Sequence, residues 1–133
     1  GRIEAALGPD RHHPKRTSTQ TLQPKRAVTD YRVEEAFGEA AARIVLSPHT
    51  GRTHQIRAHL QSINHPILGD QVYGGERVGA IAGYEIPRVM LHARRSGFTH
   101  PVTGLYGEWT AATPSDFDRV RGVLCAGRLE RKT

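Results

Sequence analysis

Arg52, His54, Gln55, Arg57 and His59 fall on and just before what reads as one short helix, and Gly69, Asp70 and Tyr73 follow it. Residues 50–75 contain no Lys and no Glu, so this is not the makeup of an ordinary solvated helix face. The set suits a surface that grips something anionic and planar. Arg52 and His54 stand where the first turn of the helix presents N–H groups and a positive dipole end, which attract phosphate or carboxylate. Arg57, three residues past His54, shares a face with it. Inside a cleft its guanidinium could form a bidentate pair with a carboxylate, each bond contributing about 1.5–3 kcal/mol. Pairing with an ordinary surface acid is the equal alternative.

Other chemistries find little support. His54 and His59 are five apart, whereas paired helical zinc ligands favour four, and the remaining histidines show no ligand spacing. No metal site or cofactor is expected. No Gly-x-Ser-x-Gly elbow, P-loop or Gly-x-Gly-x-x-Gly occurs. The single cysteine, Cys125, reads as a semi-buried thiol. No apolar run approaches the roughly 18 residues of a membrane span, and no basic-then-apolar leader opens the chain. A cytoplasmic protein with no membrane partner is the expectation.

Charge narrows the partner. Nineteen Lys and Arg face thirteen Asp and Glu, a formal net charge of +6, and only Lys15, Lys25 and Lys132 are lysines. Arginine's planar fork matches phosphate and stacks on bases, so the balance leans towards nucleic acid.

The 133 residues make at most one domain. Residues 8–26 read as a basic, loop-like segment without periodicity. Residues 27–37 alternate as a strand, Gly38 turns, and residues 42–46 return antiparallel. The short helix follows, capped by Thr50 or, better placed, Thr53, and showing an Ile56–Leu60–Ile63 stripe to the core. Asn64 and His65-Pro66 stop it. A glycine-rich loop leads to a strand over 88–98, a turn at 101–104 and a second strand over 105–110. Pro114 and Ser115 start a closing helix with Phe117, Val120 and Leu124 inward, and residues 125–133 are expected to form a flexible tail. Hairpins joined by short connections imply an α+β fold, a largely antiparallel mixed sheet with helices packed on it.

Thr50-Gly-Arg-Thr-His-Gln-Ile-Arg-x-His-Leu60, followed by His65-Pro-Ile-Leu-Gly-Asp70 and Tyr73-Gly74, closely resembles the third motif of the RluA-type RNA pseudouridine synthases. Lys25 to Tyr31 is similar to the strand ahead of that motif. Met90-Leu-His-Ala93 and His100-Pro-Val-Thr-Gly104 are similar to the strand and turn after it, and Ala111 to Asp116 to the closing stretch. The likeness runs from Gly1 to about Leu124.

That resemblance implies part of a synthase catalytic domain with an RNA-binding cleft. Its reaction isomerises uridine to pseudouridine in ribosomal or transfer RNA, without cofactor or metal. It assigns Arg57 to pairing with a catalytic aspartate. Arg52, Thr53, His54, Gln55, His59, Asp70 and Tyr73 are the residues expected to bind RNA or shape the cleft. The family's aspartate lies in an Arg-Leu-Asp segment followed by Thr-Ser-Gly, which does not occur here; Arg128-Leu129-Glu130 is only an echo. With Gly1 in place of methionine, the chain is expected to be the carboxy-terminal half of that domain, inactive alone and prone to edge-paired or intertwined self-association. A catalytically inactive RNA-binding module is the alternative.

Overall fold

The computed structural model describes the backbone of residues 1–131. Its main sheet is three-stranded, in the order β1 (Arg2–Ile3), β4 (Thr29–Phe37) and β5 (Ala41–Pro48). The β4–β5 pair is the hairpin expected from the alternating pattern. It slips register between Val33 and Glu35, a bulge that turns the strand before the Gly38 turn, where φ is +60°. Every strand pairing among the described residues is antiparallel.

The basic segment, mostly turns and bends, carries two short strands. Short strands β2 (Gly8–Pro9) and β3 (Thr17–Ser18) pair, and bridges join Leu7 to Lys25 and Asp10 to Thr21. Asp10 organises its tip: one carboxylate oxygen accepts from the N–H groups of His12 and His13 at 2.8 and 2.9 Å, the other from Ser18 Oγ at 2.6 Å. The Ser18 hydroxyl and those two N–H groups hold the Asp10 carboxyl down, to about 2. Pairing of this kind leaves no periodic signal in sequence, because each strand is only two residues long.

Helix α1 (Gln55–Ser62) rests on the start of β4. Its buried face is Gln55, Ala58, His59 and Leu60; of the expected stripe, Leu60 is in the core, Ile56 packs half-buried against the same cluster, and Ile63 is exposed at the end of the helix. Leu60 joins Ile3 and Ile67 in one core cluster, flanked by Tyr31, Ile44 and Leu46 from the sheet. After α1 come α2 (Gln71–Gly74), a 3-10 turn at Glu76–Val78, and the small hairpin of β6 (Ala80–Ile81) and β7 (Tyr84–Glu85). Residues 88–94 are irregular where a strand was expected; the exposed Arg88 donates to the carbonyls of Val89 and Leu91. Strands β8 (Arg95–Thr99) and β9 (Tyr106–Thr110) form a separate hairpin whose Phe98 and Trp109 stack at 4.8 Å, both exposed.

Helix α3 spans Ser115–Arg131, so the expected tail is helical over 125–131; Lys132 and Thr133 lie outside the described residues. No proline interrupts this stretch, and Gly122 and Gly127 cost only about 1 kcal/mol each in a helix interior. Val120 and Leu124 pack on Phe37 and Ile86 in a second core cluster, as their spacing predicts. Among the described residues no helix is long and apolar enough to cross a membrane.

Candidate active site

The cleft lies where the loop from β5 enters α1. Pro48, Thr50, Gly51 and Arg52 form one side, His54 to Arg57 the floor, and Leu91 the far wall, enclosing about 280 Å³. The loop is fixed from beneath by Gln55, which is 4% exposed. Its Oε1 accepts from Thr50 Oγ at 2.6 Å and from the Arg52 N–H at 3.0 Å; its Nε2 donates to the Val28 carbonyl and Thr29 Oγ, both at 3.0 Å. A buried glutamine therefore ties together loop, helix and strand.

His59 continues that network. Its Nε2 faces the Ala5 carbonyl at 2.8 Å, which can only accept, so the proton sits there. Nδ1 is hydrogen-bonded to Thr29 Oγ at 2.8 Å, and the same oxygen accepts from Gln55 Nε2. His59 itself is 0% exposed. Both nitrogens are in use. His59 and Gln55, expected to bind RNA or shape the cleft, are both buried beneath the site.

The residue that precedes α1 as its cap is His54, not Thr50 or Thr53. His54 is the residue before the first turn and adopts φ 50°, ψ 29°, with no side-chain cap. The left-handed region costs a non-glycine residue about 1–2 kcal/mol. The turn brings the His54 ring edge-on to Tyr73, centroids 6.0 Å apart, with Nδ1 3.3 Å from the Tyr73 hydroxyl. That hydroxyl accepts from the Thr17 N–H at 3.2 Å, leaving its own proton for His54. Thr53 is exposed, and Arg52, also exposed, donates from Nε to the Arg26 carbonyl at 2.9 Å.

Arg57 is held from behind. Its Nε and Nη2 donate to the two oxygens of Asp70 at 2.8 and 2.9 Å, a bidentate pair in which Asp70 is 0% exposed. Asp70 also caps α2 by accepting from the Tyr73 N–H at 3.2 Å. Burial pushes the Asp70 carboxyl up, but the Arg57 bonds and the N–H groups of Tyr73 and Val72 outweigh it and hold the carboxyl below its ordinary range. The same contact raises the Arg57 guanidinium. The guanidinium also lies over the Tyr73 ring, 5.0 Å from its centroid, and Arg16 lies over that ring at 4.5 Å.

Arg57 thus has an acid partner within this chain, Asp70, thirteen residues on. Among the described residues nothing accepts a hydrogen bond from Nη1 of Arg57. Of the eight expected site residues, Arg52, Thr53 and His54 form the exposed rim, Arg57 lines the cleft, and Gln55, His59, Asp70 and Tyr73 are buried support. Arg16 and Thr17 were not anticipated; their only sequence signal was membership of the basic segment. No group of His, Cys, Asp and Glu able to hold a metal occurs among the described residues.

Gly69 sets the approach of Asp70. Its φ is +82°, and a Cβ there would collide with the Arg88 carbonyl oxygen. Gly69→Ala is expected to lose at least about 2 kcal/mol, since both the left-handed backbone and an unyielding neighbour oppose it. A urea melt checks this. An unchanged midpoint would show that residues 67–70 rearrange freely.

The α+β fold is shared with two solved human proteins. RNA pseudouridylate synthase domain containing 1 superimposes with a TM-score of 0.68 at 24% identity, over 95% of this chain and 59% of that one. RNA pseudouridylate synthase domain containing 4 gives 0.68 at 22%, over 93% and 56%. Residues 1–62 match the family model described as RNA pseudouridylate synthase. Ribosomal large subunit pseudouridine synthase D of Yersinia pestis is 38% identical over 99% of this chain and 42% of its own length. The protein of the same name from Haemophilus influenzae is 41% identical over 92% and 40%. The chain belongs to the RluA-type RNA pseudouridine synthase family. It spans about two fifths of the length of these curated relatives.

Proposed function

We propose that this chain is part of an enzyme that converts uridine to pseudouridine in ribosomal RNA of the large subunit. The names of its relatives support the substrate class. The reaction breaks the bond from C1′ to N1 and forms one from C1′ to C5. N1 gains a proton and C5 loses one, so atoms balance without any cofactor. The observation that carries the reading is Arg57, fixed by Asp70 on one edge with Nη1 left for the cleft that Arg57 lines.

In this reading Nη1 of Arg57 pairs with the catalytic aspartate, which lies in a part of the protein outside these 133 residues. Asp70 is not that aspartate. It is sealed from the cleft, and both its oxygens are occupied by Arg57. Arg52, Thr53 and His54 at the rim face the RNA, and Tyr73 steadies the floor.

The test is tritium release from RNA labelled at uridine C5. The protein that carries this chain is expected to release label into water, and residues 1–133 alone to release none. Release by residues 1–133 alone would overturn the assignment of the aspartate. No release by the whole protein from ribosomal RNA fragments would overturn the function.

A further inference from the structure

The arginines and lysines of this chain fall into two groups. Outside residues 8–26 many of them are paired: Arg2 with Asp30, Arg43 and Arg94 with Glu34, Arg88 with Asp116, Arg95 with Glu108, Arg121 with Glu35. Along residues 8–26, five Lys and Arg accompany a single acid, Asp10, and that acid is spent on the turn itself. Arg11, Lys15, Lys25 and Arg26 are exposed, and among the described residues none makes an ion pair.

This segment is also moored to the cleft. Arg16 lies over the Tyr73 ring, the Thr17 N–H bonds the Tyr73 hydroxyl, and Arg52 on the cleft rim bonds the Arg26 carbonyl. Its two limbs are zipped by reciprocal bonds between Leu7 and Lys25, both 2.9 Å, and its tip by Asp10. An exposed run of like charge repels itself. Bracing it this firmly beside a cleft makes sense where an external polyanion supplies the missing counter-charge.

We propose that residues 11–26 form a preformed phosphate-binding rail, which seats the RNA backbone beside the cleft through Arg11, Lys15, Lys25 and Arg26. It rests on the reading of the chain as part of an RNA-modifying enzyme and adds where the strand flanking the target nucleotide lies. The rail holds phosphate, not bases, so it contributes affinity and register without sequence preference.

Binding of fluorescein-labelled oligouridine RNA to the full protein that carries this chain, measured by anisotropy across a potassium chloride series, tests it. Each phosphate contact to a single strand contributes about 0.7 to the slope of log affinity against log salt. Replacing all four side chains by Gln is expected to lower that slope by about 3 and leave the melting temperature unchanged. Single Lys15→Gln and Lys25→Gln variants, each expected to lower it by about 0.7, serve if the fourfold variant folds poorly. The comparison is Arg32→Gln, Arg77→Gln and Arg119→Gln, exposed positions elsewhere that also lack an ion pair. Their combined variant is expected to change the slope by less than about 1. An equal loss per charge in both sets would reduce the rail to net charge and overturn it, as would an unchanged slope in the fourfold variant. The measurement needs no turnover. A protein that loses slope but never releases tritium keeps the rail and loses the proposed reaction; the reverse result does the opposite.

Discussion

Asp70→Ala is expected to cost about 3–5 kcal/mol of folding stability, because it strands the Arg57 guanidinium against a partly buried floor. Arg57 keeps a fifth of its side chain in contact with water, which favours the lower end of that range. Loss of the cap on the Tyr73 N–H adds about 1 kcal/mol. Two further variants separate these contributions. Asp70→Asn keeps an acceptor for Tyr73 and one bond to Arg57, and is expected to lose less. Arg57→Met combined with Asp70→Ala removes the stranded charge and is expected to recover part of the loss. The carboxyl of Asp70 sits below its ordinary range when folded, so its contribution is full above the unfolded value and fades as pH falls through the folded one. The acid limb of the stability profile should therefore flatten in Asp70→Ala. Urea melts at neutral and acid pH measure both effects. A change under 1 kcal/mol at neutral pH would mean that the pair is dispensable to the fold.

The hairpin of β4 and β5 was legible because alternation over eight or nine residues has no helical counterpart. The closing helix was legible from Pro114-Ser115 and the spacing of Val120 and Leu124, though not its length. Helix α1 was visible as an element, but its face only in part. Leu60 and Ile56 do reach the core, but Ile63 does not, and the most buried positions include Gln55 and His59, polar residues hydrogen-bonded to Thr29. A polar core cannot be told from a polar surface by residue type; only the partners decide. The same limit explains Arg57. Its need for a carboxylate was readable from type and spacing, whereas the choice of Asp70 depended on the Gly69 turn folding the loop back beneath α1. Asp70 carried its own signal, an N-cap residue three positions ahead of Tyr73, but a helix of four residues is too short for periodicity to announce it.

Arg57→Lys is expected to lower pseudouridine formation by the protein that carries this chain on the order of 10²-fold, the scale seen when one preorganised donor to a developing charge is removed. A lysine ammonium is a point charge on a flexible stem. It can satisfy Asp70 or reach into the cleft, but cannot present one edge to each, nor lie flat over Tyr73 as the guanidinium does. The loss should fall on kcat, with RNA affinity nearly unchanged, because the backbone is held elsewhere. The fourfold rail variant should show the opposite division, weaker binding with little effect at saturating RNA. Asp70→Asn, acting only through the orientation of Arg57, is expected to fall between wild type and Arg57→Lys in kcat while sharing their affinity. Single-turnover rates at saturating RNA, paired with anisotropy, separate these terms. Should Arg57→Lys retain full kcat, Asp70 and Arg57 would be a structural pair alone, and the cleft above them would need another catalytic anchor.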